Sequence, residues 1–279
     1  MVGSLASEVV DAAIDLVRRA EGREQFLFVH LIDPHWPYLP PKAWLERLGP
    51  RPPDISDLLD KVFDGGAPSD HDEIEQVIRL YDGEIAYADE QLGRLVDELK
   101  SLDLYDDALI IVTADHGEAF YEHGHWQHTV SLYDEVVHIP LIVKWPGSSR
   151  PARVKTPVSQ IDIFPTMLRV AGLDSPATGA IDLSAWQSTA IGERSVISEL
   201  TEAPPGCSDN RSSSSICMKL AMRVESVKYI ATVAEEDGEL KPVRQELYDT
   251  ANDPWERNGG EVILDEETRE TLRSLGYIN

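Results

Sequence analysis

Positive charge is what this chain has least of. Its 279 residues carry 25 Lys and Arg against 50 Asp and Glu, a formal net charge of −25. A surface that acidic repels nucleic acid and anionic membrane at long range, so neither is expected as a partner. An anionic substrate has to be held by a local metal or a few cationic side chains against that field. The scarcity of Lys beside so many acids fits a high-salt habitat. Cysteine is sparse too: Cys207 and Cys217 both fall in one polar stretch. A local disulfide and two free thiols both remain open, so the redox compartment is not set. There is no run of about 18 apolar residues, which excludes a membrane-spanning helix. The opening MVGSLASEVVDAAIDLVRRAEGREQ lacks a basic start and an uninterrupted apolar core, so it is not a signal peptide. Localisation is not readable from this: the chain as it stands carries no export signal and reads as cytoplasmic only in that sense.

What is present is a foldable chain. At 42% hydrophobic it can bury a core, and its length suits one large α/β domain with a small companion. The opening stretch reads as an amphipathic helix, with Leu5, Val9, Ala12, Ile14, Leu16 and Val17 on one broad face. FLFVHLI (26–32) reads as a buried strand, followed by the proline-broken loop DPHWPYLPP. Residues 49–70, rich in Pro, Gly and Asp, read as a surface excursion. A long helix is expected over 72–100, with Ile74, Val77, Ile78, Tyr81, Ile85, Leu92, Leu95 and Leu99 at helical period and its acids on a solvated face. ALIIVTA (108–114) and IPLIVKW (139–145) are further strands, and 160–173 is a helix with Pro165 in its first turn and Gly172 at its stop. Such alternation implies a largely parallel sheet covered by helices. After about residue 190 the texture changes to a Ser- and Pro-rich loop. MKLAMRV, VKYIATV and RQELYD then read as a small antiparallel sheet, with a helix near 261–275. The expected organisation is an α/β domain over 1–190 and a small α+β subdomain over 191–279.

Chemistry in open α/β sheets gathers beyond the carboxyl ends of strands. Two polar clusters stand there: Asp33-Pro34-His35 after the first strand, and Asp115-His116-Gly117-Glu118 after ALIIVTA. Asp115 and His116 can reach one cation, with Gly117 allowing a sharp backbone turn. Carboxylate plus imidazole suits Mn²⁺, Zn²⁺ or Fe, whereas an all-oxygen site suits Ca²⁺ or Mg²⁺. The full stretch TADHGEAFYEHGHWQH holds four histidines. Of these, His123 and His125 read as structural or solvent-facing, and Trp126 and Trp145 as packing residues.

Seven stretches in register carry a resemblance to the sulfatase family of the alkaline phosphatase superfamily. They are FLFVHLIDPHWPY, YDGEIAYADEQLGRLVDEL, LIIVTADHGEAFYEHGHWQH, SLYDEVVHIPLIVKWPG, VSQIDIFPTMLRVAGL, ELYDTANDPWERN and LRSLGYIN. The resemblance implies an alkaline phosphatase-like α/β fold and hydrolysis of a sulfuric ester with the help of one divalent metal, Ca²⁺ or Mn²⁺. It implies Asp115 and His116 as metal ligands and His35 and His128 as catalytic imidazoles directed at the sulfuryl group. Many sulfatases carry Asn where His116 stands; the His version resembles the choline-sulfatase and phosphonate-monoester-hydrolase branches. A lysine often follows two residues after the family's counterpart of His128, but here that position is Val130.

The family's nucleophile is a Cys or Ser in C/S-x-P/A-x-R, converted to formylglycine in sulfatases. It lies far ahead of the DPH loop, together with a pair of aspartates that complete the metal site. Nothing in this sequence matches it there. Ser149-Arg150-Pro151-Ala152-Arg153 fits literally and Cys207-Ser208-Asp209-Asn210-Arg211 partly, but both follow the metal motif. No recognised position can therefore carry formylglycine. The expectation is a C-terminal portion of a sulfatase, inactive alone, with open sheet edges and needing its N-terminal half or an oligomer partner. The expected substrate is a small-molecule or carbohydrate sulfate ester. Two rival readings stand beside it: a phosphodiesterase or phosphonate monoester hydrolase, and a non-catalytic module that binds an anion or a partner.

Overall fold

The computed structural model describes residues 5–20, 22–47, 49, 55–148, 151–175, 179–187, 194–201, 217–236 and 239–259. The chain divides into two compact units that interleave in sequence. One comprises Met1–Ile110, Phe120–Trp126 and Val143–Ser149; the other comprises Ile111–Ala119, Gln127–Ile142 and Arg150–Asn279.

In the first unit, helix α1 (Ala6–Arg19) buries Ala6, Val10, Ala13, Ile14 and Val17. This stripe is offset from the expected one: Leu5 and Leu16 are 46% and 56% exposed. Val10, Ala13 and Ile14 pack with Leu95 and with Leu27, Val29 and Leu31. Residues 26–32 are therefore extended, with alternate side chains turned inward. They do not form the expected buried strand. Their backbone finds no ladder partner among the described residues, and Phe26 and Phe28 on the outer face are 76% and 78% exposed. A run this apolar specifies cover on both faces, and described residues cover only one.

The expected surface excursion over 49–70 is also corrected. Helix α2 (Lys42–Arg47) is followed by α3 (Ser56–Phe63). Leu58, Leu59 and Val62 of α3 join Tyr38, Leu45, Val77 and Leu80 in the core. The i, i+1, i+4 spacing of those three residues, which puts them on one helix face, outweighs the surrounding Pro and Asp.

Helix α4 (His71–Ser101) matches the expected long helix. Asp70 caps it by accepting the Glu73 N–H at 3.0 Å, with acids in the first turn and Lys100 in the last. Its buried line runs through Val77, Leu80, Glu84, Tyr87, Gln91 and Leu95. Ile85 is 43% exposed, while Glu84 is only 5% exposed, against the expectation of a solvated acidic face.

Strands β1 (Ile110–Thr113), β2 (Ala119–Phe120) and β3 (Trp126–Gln127) follow, then the short helix α5 (Asp134–Val137) and strand β4 (Leu141–Lys144). β1 pairs with β4, and β2 with β3. In the second unit a 3₁₀ turn, Gln160–Asp162, closed by a Ser159–Asp162 capping box, leads into α6 (Ile163–Val170). Gly172, at φ 71°, ends it, and the Leu173 N–H reaches the Leu168 carbonyl at 2.9 Å.

The C-terminal antiparallel sheet is present as expected, with one strand more. β5 (Ser195–Leu200), β6 (Cys217–Val224), β7 (Val227–Glu236) and β8 (Glu239–Asp249) lie in that order. The polar Ser195, Ser198 and Glu199 hid β5 from an apolar-run reading. Pro242 sits on β8, an edge strand, opposite the bulge at Thr232/Val233. Cys217 is disulfide-bonded. Cys207 and the expected helix at 261–275 lie outside the described residues.

One buried ion cluster fastens α5 to this sheet. Asp134 accepts from Lys228 and Arg223, both at 2.7 Å, and Lys228 also meets Glu256 at 2.8 Å. Glu256 in turn accepts the Asp134 backbone N–H at 2.7 Å. The Lys228 side chain is 2% exposed and that of Glu256 0%. Burial alone would raise the Asp134 pKa, but Lys228 and Arg223 outweigh it and hold the carboxyl below its ordinary range. Burial holds Glu256 above its own, against the pull of Lys228. Removing one partner of such a cluster leaves uncompensated buried charge. Lys228→Met is therefore expected to lower stability by about 3–5 kcal/mol, measured by urea unfolding with an unchanged m-value.

Candidate active site

The turn after β1 presents Asp115 and His116. Its shape depends on close approach rather than on an unusual φ at Gly117. The Gly117 N–H donates to the Val136 carbonyl of α5 at 2.7 Å, and a Cβ added there would meet the Glu135 carbonyl oxygen at 2.2 Å. From the other side, the Gln160 side-chain amide donates to the carbonyls of Ala114 at 2.7 Å and Asp115 at 3.0 Å. Gln160 and α5 thus clamp the turn, a role that no local sequence pattern announced.

Within the turn, His116 Nδ1 donates to the Gly117 carbonyl at 2.8 Å. A carbonyl can only accept, so in the neutral ring the lone pair is on Nε2. Nε2 lies 3.8 Å from Asp115 Oδ2, a separation that ligand bonds of about 2.0–2.2 Å from each atom can span. The Asp115 side chain is 76% exposed, so it keeps its carboxylate open to a cation. The pair thus fits two positions of a divalent-metal site, with the imidazole already oriented by a backbone carbonyl. Among the described residues no group of three or more His, Cys, Asp or Glu is placed to hold an ion.

His128 joins this pair. Its ring stacks on His116 with centroids 3.7 Å apart and an interplanar angle of 23°. Its Nδ1 donates to Glu118 Oε1 at 3.1 Å, and the Glu118 side chain is 3% exposed. That hydrogen bond holds the His128 imidazolium above its ordinary pKa, against burial, with the charges of Glu118 and Asp115 adding to it. Glu118, to which sequence reasoning gave no separate role, is the buried carboxylate that orients His128 and favours its protonated ring. At Val130 the expected lysine is absent, but Lys219 of β6 donates to the Val130 carbonyl at 2.6 Å, so a cation reaches this loop from the sheet.

His35 falls in the first unit. Its N–H donates to the Ile32 carbonyl at 2.8 Å and its Nδ1 to the Trp36 carbonyl at 2.7 Å. His123 and His125 belong to the hairpin between β2 and β3, where the Tyr121 N–H donates to the His125 carbonyl at 3.0 Å. Trp126 is a packing residue, as expected, with Nε1 donating to the Gly66 carbonyl at 2.8 Å. Residues 149–150 and 202–216 lie outside the described residues, and with them the candidate nucleophiles Ser149 and Cys207.

A carboxylate–imidazole pair at a strand end thus lies beside a second imidazole, His128, that is held by a buried carboxylate. The profile of the Sulfatase family matches residues 3–173, and the chain belongs to that family. It is 30% identical over 204 residues to human arylsulfatase K, covering 70% of this chain and 35% of that protein. It is 31% identical over 192 residues to the uncharacterized sulfatase YidJ of Escherichia coli (strain K12), covering 61% and 37%. The chain thus spans about a third of the length of these relatives. Among solved structures, the phosphonate monoester hydrolase of Silicibacter pomeroyi superposes with a TM-score of 0.71 at 24% identity, covering 98% of this chain and 58% of that one. A protein in complex with its substrate D-glucosamine-2-N,6-O-disulfate superposes at 0.70 and 19% identity, covering 98% and 69%. These likenesses carry the fold, which is alkaline phosphatase-like α/β with a small C-terminal antiparallel sheet.

The clamp on the turn gives a direct expectation. Gly117→Ala forces a methyl group against the Glu135 carbonyl and should cost about 1–3 kcal/mol, as overpacking does. Thermal unfolding measures the loss, and shifted amide resonances of Asp115 and His116 would show that the turn itself moves.

Proposed function

We propose that this chain carries the metal-holding pair and the anion-directed imidazoles of a sulfuric ester hydrolase. The observation that carries the reading is the assembly of Asp115, His116 and His128 into one cluster, with His128 hydrogen-bonded to the buried Glu118. Asp115 and His116 would hold the divalent metal, Ca²⁺ or Mn²⁺, which when bound supplies Lewis-acid charge to the oxygens of the transferred group. His128 offers a cationic N–H-bearing ring to the same oxygens, and Glu118 keeps that ring in place. His35, in its own loop, is the second imidazole directed at the sulfuryl group or its leaving oxygen, as acid or hydrogen-bond donor.

The substrate we propose is a sulfate ester of a small molecule or carbohydrate. The neighbour solved with a disulfated glucosamine supports that class. The Asp115–His116 pair and the phosphonate monoester hydrolase neighbour favour a second reading, in which the same residues act on a phosphonate or phosphate ester. No nucleophile motif stands upstream of the DPH loop in this sequence. The chain by itself is therefore expected to bind metal and anion without turnover.

Calorimetric titration tests this. Mn²⁺ or Ca²⁺ should bind the wild type and bind at least about tenfold more weakly to Asp115→Ala and His116→Ala. Sulfate and methylphosphonate, titrated separately into the metal-loaded chain, decide between the two readings by which binds more tightly. Equal metal affinity in all three proteins would contradict the ligand assignment. Aryl sulfate turnover abolished by Asp115→Ala would contradict the expected lack of turnover.

A further inference from the structure

Glu84 sits in the middle of α4 and is only 5% exposed. Its Oε1 accepts the Leu39 N–H at 2.8 Å, while its Oε2 is buried with no hydrogen-bond partner. Asp33, at the head of the loop that carries His35, is in the same state. Its Oδ1 accepts the Ala6 N–H at the start of α1 at 3.1 Å, and its Oδ2 is buried and unpartnered. No Lys, Arg or His among the described residues forms an ion pair with either carboxyl. Asp33 is the charged group that acts on Glu84, and it does so as a like charge.

Two ionised carboxylates here would repel each other and leave two acceptor oxygens buried without a donor. A proton on Glu84 removes the repulsion and one of the two buried charges. We propose that Glu84 holds a proton, and that the two buried carboxyl groups, Glu84 and Asp33, fix the loop bearing His35. The loop is tied at both ends through the pair: Asp33 at its start, and Leu39 at its end through Glu84 Oε1. Between them Tyr38, 1% exposed, is locked in the core. Glu84 is thus a positioning residue for His35. Its bearing on the reaction rests on the role assigned to His35 above, but the proton on Glu84 does not.

Burial first, then the Asp33 charge, push the Glu84 carboxyl up to about 8, against the pull of the Leu39 N–H. The proton therefore rests on Glu84. A folded-state pKa raised above the unfolded one means that the folded chain binds the extra proton between the two values. Stability should fall as pH rises from the ordinary glutamate range toward 8, and level off above it.

Thermal unfolding of the full chain between pH 5 and 9 tests the proposal without any activity. The wild-type melting temperature should fall across this range. Glu84→Gln, whose amide N–H₂ mimics the protonated acid, should flatten that fall and melt above the wild type at pH 9. Asp33→Asn should move the midpoint of the fall to lower pH, and it keeps the proposal testable should Glu84→Gln not fold. The ring resonances of His35, assigned with His35→Asn, should shift with the wild-type transition and lose that shift in Glu84→Gln. Parallel wild-type and Glu84→Gln curves, an unmoved midpoint in Asp33→Asn, or a His35 signal that ignores the transition would each overturn the proposal. Failure of the metal titration above would leave these readouts untouched, so the two failures are distinguishable.

Discussion

The second unit depends on one buried ammonium. Lys228 leaves β7 with almost no exposed surface and meets Asp134 and Glu256 together. Desolvating a lysine costs several kcal/mol, and only close pairing offsets it. The pairing here also aims the backbone. Glu256 takes the first N–H of α5 and Asp134 anchors its first turn, so a helix of four residues, too short to hold itself, is held by the sheet. The carbonyls of that helix then meet Gly117, where only a glycine fits. The position of Asp115 and His116 is therefore set by electrostatics more than a hundred residues downstream.

The same dependence explains which parts of the structure were legible in the sequence. Elements with one strong local signal were read well. The capped helix α4, the Pro165–Gly172 limits of α6 and the antiparallel C-terminal strands all follow from spacing and punctuation. Asp115 and His116 were singled out as candidates because a strand end makes polar residues informative. Glu118, Gln160 and Lys219 were not found, because their roles come from contacts across the fold and leave no local pattern. Glu84 was misread for a related reason: on a helical wheel it is one acid among many, and only packing against the loop at Leu39 buries it. The run FLFVHLI was read as a buried strand from its composition. Its composition does call for cover on both faces, but composition cannot supply the neighbours that would provide it.

Acidity runs through the molecule in two ways. On the surface it sets a net charge of −25 against any anionic ester. In the interior the acids are put to use by pairing: Glu118 with His128, and Asp134 and Glu256 with Lys228. Each pairing converts a repulsive group into one that orients a neighbour. This is how a chain so poor in cations can still favour a protonated ring at one place, His128 beside Asp115.

The account stands or falls on Asp115 and His116 holding a divalent cation next to His128. Paramagnetic broadening by substoichiometric Mn²⁺ of the assigned histidine ring resonances reads this directly, since the effect falls off steeply with distance. The predicted result is loss of the His116 and His128 signals in the wild type and their retention in Asp115→Ala. Unbroadened His116 and His128 signals in the wild type, or broadening of His116 that persists in Asp115→Ala, would contradict it.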